Sequence, residues 1–438
     1  MRNLFPNGIH VLFILFLFSF SPSIAQNTNF PKYPDANIVV LSDPHYYDAS
    51  LGIDGEAFRQ YLNKDRKLLK ESRELLETAI SKISNSKAEI VLIPGDLTKD
   101  GTLTSHTKFS GFMKELELLG KKVYVVPGNH DISNPQSYSF KDSLKVLVEN
   151  ISPSDFENIY SDHGYNEAIY RDSNSLSYIA EPIEGLWLFA LDACRYDENV
   201  EGEHAVTAGK FKDETLVWIN EMLDLSIREG KSTIGMMHHG ILEHYNKQKK
   251  FFGEYVVDDY KDISKNFAGK GLKIVFTGHY HAQDIANRTF NNGDFIFDVE
   301  TGSLVTYPCP IRQISIQNNQ LEINSEYIAQ IESHPDGFQA YSKEFVWSGI
   351  EGIATEALIG YKLKEEEARM LSGQIADAFI AHYQGDEISP KKPFSLKGVS
   401  CKGRFLISFK KKLIKNLWKD VTPEDNNLKI DLDNGEVL

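Results

Sequence analysis

The chain has 438 residues, with 47 lysines and arginines against 62 aspartates and glutamates, a formal charge of −15 and three cysteines. Its apolar (41%) and charged (25%) fractions are those of a globular protein with room for two or three domains and a sizeable core. The acidic balance argues against nucleic acid as a partner, since phosphate binding draws on clustered surplus cations. Cys194, Cys309 and Cys401 are too few for a disulfide scaffold or a cysteine zinc ribbon.

Residues 1–25 have the layout of a secretory signal peptide. Arg2 is basic, Ile9 to Phe20 is almost wholly apolar, and Ser23-Ile24-Ala25 sets small residues before a cut at Gln26. The expectation is an exported protein, periplasmic or extracellular. After a Pro/Asn-rich lead comes a strand, Ile38 to Leu41, and then a helical pattern through Leu68, Leu69, Leu75, Leu76, Ala79, Ile80 and Ile83. Ile90 to Ile93 is a second strand. Phe109 to Leu119 reads as a helix closed by Gly120, and Val123 to Val126 as a third strand stopped by Pro127-Gly128. Leu186 to Leu191, Thr233 to Met237 and Ile274 to Phe276 continue the series, with a helix from about Asp213 to Ile227. Hairpins follow up to about Ile328, one around an Asn318-Asn319 turn. Near-continuous apolar strands alternating with helices predict sheets buried on both faces, an α/β sandwich over about 35–330. Residues 331–438 read as a small, mainly helical cap domain, with helical patterns in Ile350 to Tyr383 and Phe405 to Lys419.

Each strong polar cluster sits just beyond one of those strands, where ligands bind in such sheets. They are Asp43-Pro44-His45, Gly95-Asp96, Gly128-Asn129-His130-Asp131, His238-His239 and Gly278-His279-Tyr280-His281. Carboxylates and imidazoles without cysteine suit manganese, iron or zinc. Each cluster alone is compatible with turn chemistry or a structural histidine; five in this order, all at strand ends, are not readily so explained. His239, Glu243 and His244 match neither zinc-protease spacing, and no nucleophile elbow or P-loop is evident.

This order resembles the calcineurin-like metallophosphoesterase superfamily. Gly95 to Gly101 and the run Ser42 to Asp65 are similar to its cyclic-nucleotide-phosphodiesterase-like branch, in particular to secreted bacterial members. The resemblance implies a four-layer α-β-β-α sandwich of two mixed sheets and a pair of metal ions. One ion would be held by Asp43, His45, Asp96 and His281. The other would be held by Asp96, Asn129, His238 and His279, with Asp96 bridging; His239 is the alternative to His238. It implies hydrolysis of phosphoesters by in-line attack of a hydroxide shared by the ions, diesters before monoesters, with a non-catalytic binding protein as a third reading. Asn129 and His130 would meet the substrate and His130 would protonate the leaving oxygen. Its orienting carboxylate is Asp100 or Asp131, with Asp100 ranked first. Asp192, His204 and His244 are further candidates for substrate contact, each also readable as structural. Lys391 to Lys415 holds nine lysines and arginines and no acid, a positive surface that could meet an anionic substrate, a lipid surface or an acidic partner, or be a solvated helix face.

Overall fold

The structure is a computed structural model that describes residues 30–438, apart from the side chain of Phe409; the expected signal peptide lies outside the described residues. A six-stranded mixed sheet runs, in spatial order, Asn427–Asp431, Gln320–Tyr327, Pro310–Gln317, Ala36–Val40, Ile90–Pro94 and Lys122–Val126. The last three are mutually parallel and the others antiparallel. A seven-stranded mixed sheet runs Asp284–Thr289, Phe295–Glu300, Ile274–Thr277, Ser232–Met237, Leu186–Leu191, Tyr178–Ile183 and Tyr170–Arg171. Strands such as Ile90–Pro94 and Leu186–Leu191 are buried at every residue because apolar layers cover both faces. The largest core fills the space between the sheets, with Val40, Leu92, Leu188, Met236 and Phe276 among its residues, and continues beneath the helices Ser72–Ser84 and Leu103–Leu118. A second core lies under the helices Asp213–Arg228 and Tyr260–Gly269 on the other flank. These are the four layers of the expected sandwich.

The tail is helical, as Phe338–Gly360, Glu365–Gln384 and Cys401–Leu417, with a core of its own that also takes in Tyr245, Tyr280 and Tyr307 of the sandwich. Ile407, Leu413 and Leu417 of the basic third helix are buried in that core. Three details differ from the sequence reading. The first long helix begins at Ser72, and Leu68 and Leu69 are buried in a loop instead. The pattern over Ile350 to Tyr383 spans parts of two helices. The unit expected over 331–438 does not stay separate to its end, because Asn427–Asp431 rejoins the six-stranded sheet beside Gln320–Tyr327. Among the described residues, no helix is long and apolar enough to cross a membrane.

Candidate metal centre

Five chain segments reach one cleft because each leaves the carboxyl end of a parallel strand there. The turns are tight, and Asp43, His45, Asp96, His279 and His281 all adopt positive φ, at 47°, 38°, 48°, 77° and 69°. Such conformations are disfavoured for non-glycine residues and persist where surrounding structure enforces them, as at functional sites. Two glycines make the approach close enough. A Cβ on Gly278 would lie 2.3 Å from Asp43 Oδ2, and one on Gly128 would lie 2.1 Å from Asp96 Oδ1.

Asp43, His45, Asp96 and His281 form one buried group of donor atoms, and Asp96, His238 and His279 a second. Asp96 Oδ2 lies 3.5 Å from His45 Nε2 and 3.4 Å from His238 Nε2, so it stands between the groups. Its Oδ1 accepts the His130 backbone N–H at 2.9 Å. Asn129 Oδ1, 3.2 Å from His238 Nε2, faces the second group. His45 Nε2 and His281 Nε2 face one another at 3.1 Å, and Asp43 Oδ1 is 3.4 Å from His281 Nε2. Asp43 Oδ1 and His279 Nε2 are buried without a hydrogen-bond partner. Orphaned donors of this kind, aimed at common points and lacking sulfur, fit a pair of divalent cations sharing Asp96.

The electrostatics agree with that fit. Burial alone would raise Asp96, but His238, His130 and His45 hold its carboxyl well below the usual range. Burial, helped by neighbouring positive groups, pushes His45 and His279 well below the ordinary imidazole value, so both are neutral donors. His238 donates Nδ1–H to the Pro94 carbonyl at 2.9 Å, which turns Nε2 toward Asp96 and Asn129; burial would lower this imidazole, and Asp96 outweighs it and holds it up at about 9. His239 faces away, with Nε2 2.9 Å from the Thr207 carbonyl oxygen.

His130 lies at the mouth, its side chain 26% exposed and Nε2 4.0 Å from Asp96 Oδ2. Its Nδ1 donates to Asp100 Oδ1 at 2.7 Å. Burial would raise Asp100, but Lys99 and His130 hold it well below its ordinary value. Burial would likewise lower His130, and Asp96 and Asp100 outweigh it, so the imidazole is held above its usual value. Asp131 turns back into the protein and accepts from the backbone N–H groups of Leu97, Thr98 and Gly128.

Several residues with a part in the site were not singled out in the sequence. Lys99 is buried, paired with Asp100 and 4.2 Å from the Tyr61 ring centroid. Lys64, Arg66, Lys67 and Tyr255 line the cleft, a cavity of about 250 Å³, and Ile353 of the first tail helix closes one side. Asp65 Oδ1 accepts from the backbone N–H of Arg66 and Lys67 and so shapes this basic loop. The only signal in the sequence is Lys64 to Lys67, a short cationic run in an acidic chain. Three other candidates do not line the cleft. Asp192 accepts from Leu176, Cys194 and Tyr196, exposed His204 meets Gln136, and His244 is buried beside Asp284.

The sequence pattern of the family described as Calcineurin-like phosphoesterase matches residues 36–283. A relative named "Probable cyclic nucleotide phosphodiesterase" from Vesicomyosocius okutanii subsp. Calyptogena okutanii (strain HA) is 35% identical over 69 residues, 16% of this chain and 28% of the relative. Its namesake from Ruthia magnifica subsp. Calyptogena magnifica is 36% identical over 69 residues, with the same coverage. The chain thus spans under a third of the length of these curated relatives. Among solved structures, a dimetal phosphatase from Danio rerio is similar at a TM-score of 0.47 and 15% identity, covering 67% of this chain and 97% of that one. A purple acid phosphatase from yellow lupin (Lupinus luteus) reaches 0.38 at 10% identity, covering 68% and 52%. With the pattern matched across more than half its length, the chain belongs to the calcineurin-like phosphoesterase family.

Proposed function

We propose that the chain is an exported, metal-dependent phosphoester hydrolase that acts on phosphodiesters. The observation that carries the reading is the convergence of seven oxygen and nitrogen donors, with His130 beside them, on one cleft. Two divalent cations bound there would acidify water to near-neutral pH and offset charge on the phosphate oxygens. Asp43, His45, Asp96 and His281 would hold one, and Asp96, Asn129, His238 and His279 the other; manganese, iron and zinc all suit these donors.

The remaining work falls to the chain's own groups. Asp100 accepts Nδ1–H of His130, which leaves Nε2 to face the cleft and pass a proton to the departing oxygen. Asp100 is a positioning residue, and Lys99 fixes it from behind. Lys67, Arg66 and Lys64 set positive charge on the rim, where the second substituent of a diester or its anionic groups would lie. The short match to two relatives named as probable cyclic nucleotide phosphodiesterases supports diesters over monoesters. The N-terminal layout supports release to the periplasm or beyond, where scavenging of external phosphodiesters is the use that fits.

The test is a matrix of metal against substrate with the purified chain. Manganese, iron and zinc are each paired with an aryl phosphodiester and the matching monoester. Higher kcat/KM on the diester is expected. A preference for the monoester overturns the diester assignment, and no hydrolysis with any metal overturns the hydrolase assignment.

A further inference from the structure

A second group of buried donors lies away from the cleft, where the second tail helix meets the sandwich. Asp284, His382 and Glu387 each direct one donor atom to a common point, all within 4.8 Å of one another. His382 Nδ1 is 3.8 Å from Asp284 Oδ2 and pairs with Glu387 Oε1. The His382 and Glu387 side chains are 1% and 2% exposed, yet Glu387 Oε2 and His382 Nε2 have no hydrogen-bond partner.

The charge around this point does not balance. His244 Nδ1 is 2.8 Å from Asp284 Oδ1, and its Nε2 lies 3.1 Å from Asp298 Oδ2 and 3.6 Å from Glu300 Oε2. Four carboxylates therefore surround two imidazoles, leaving an anionic surplus even with both rings protonated. Buried Arg312 is near, but it donates to the backbone carbonyls of Asp284, Glu300 and Asp425. Burial pushes the Glu300 and Glu387 carboxyls upward, as expected where negative charge is in excess. A buried surplus of charge is costly unless protons or a counter-ion remove it.

We propose that Asp284, His382 and Glu387 bind a zinc-class divalent cation that joins the helical tail to the sandwich. One imidazole and two carboxylates are a donor set suited to zinc. The strand Asp284–Thr289 contributes one donor, the last turn of the second tail helix contributes His382 and the loop after it Glu387, so the ion would tie two regions that are distant in sequence.

The experiment uses the full chain carrying Asp43→Asn, Asp96→Asn, His238→Gln and His281→Gln, which leave a single imidazole and no carboxylate in each cleft group. After zinc loading and passage over a chelating resin, elemental analysis is expected to find one zinc per chain. Adding His382→Gln and Glu387→Gln should cut retention at least about tenfold. A starting chain that retains none, or a further variant that still retains one, overturns the proposal. Proteolysis of this cleft-disabled chain gives a second reading that needs no change at the junction. Zinc is expected to slow cleavage within 385–400 about tenfold, and equal rates with and without zinc overturn the proposal.

Discussion

Replacing Asp100 by asparagine tests whether the carboxylate behind His130 positions the proton donor. The substitution preserves size, and asparagine accepts the positive φ of 53° at this position, so the turn is retained. What changes is the partner of His130 Nδ1, now 2.7 Å from a carboxylate oxygen. An amide there no longer enforces the Nδ1–H tautomer or supports the charged ring. Turnover of a diester with a poor leaving group should fall about 10²- to 10⁴-fold, the range of general acid catalysis, and that of an aryl ester much less. Bound metal should be unchanged. A second effect accompanies the first, because Lys99, 1% exposed, loses the carboxylate beside it. Leaving one member of a buried pair behind costs about 3–5 kcal/mol, lessened here by the Tyr61 ring. Adding Lys99→Met removes the stranded charge, so the double variant should recover most of the stability and none of the rate. Urea unfolding and a leaving-group series measure both. Undiminished turnover of the poor leaving group in the Asp100→Asn chain, or recovery of rate in the double variant, refutes the positioning role.

Three further outcomes are expected. Gly128→Ala sets a Cβ 2.1 Å from Asp96 Oδ1, so it should weaken metal binding at least about tenfold while the chain stays folded, as titration calorimetry and circular dichroism would report. Burial pushes His106 down to about 3 from an ordinary 6.5. Between those values the unfolded chain takes up a proton that the folded chain refuses. Stability from the neutral ring is therefore full above pH 6.5 and falls on acidification by up to about 1.4 kcal/mol per pH unit. His106→Gln should flatten that part of the slope in urea titrations from pH 7 to 4, and an unaltered slope would count against it. Intact-mass analysis of the full chain expressed in a secretion-competent bacterium should give a mature chain starting at Gln26; a retained Met1 would remove the signal-peptide assignment.

The strands were legible because burial on both faces leaves an unbroken apolar run, as in Ile90 to Ile93, and the donors follow each run directly. The choice between His238 and His239 was not. Neighbouring residues leave the strand end in different directions, one ring to Pro94 and Asp96 and the other to Thr207. Adjacency misleads at Asp131, whose carboxylate is consumed by three backbone N–H groups, whereas Asp100 arrives from another loop. Lys99 carries no pattern, since its placement depends on a ring distant in sequence. The split between the first two tail helices at 361–364 interrupts a composition that stays helix-like throughout. The last strand shows a two-residue alternation, Leu428 and Ile430, too short to stand out in a polar stretch.

The return of Asn427–Asp431 to the sheet gives the tail two feet rather than one. A flap fastened at a single end can swing clear; an arch rooted at both, on neighbouring strands, can only flex. Ile353, carried by that arch, lines the cleft. The bulk of an admitted substrate would then be limited by how far that span bows, and grafting the arch onto a relative would require transplanting both of its roots.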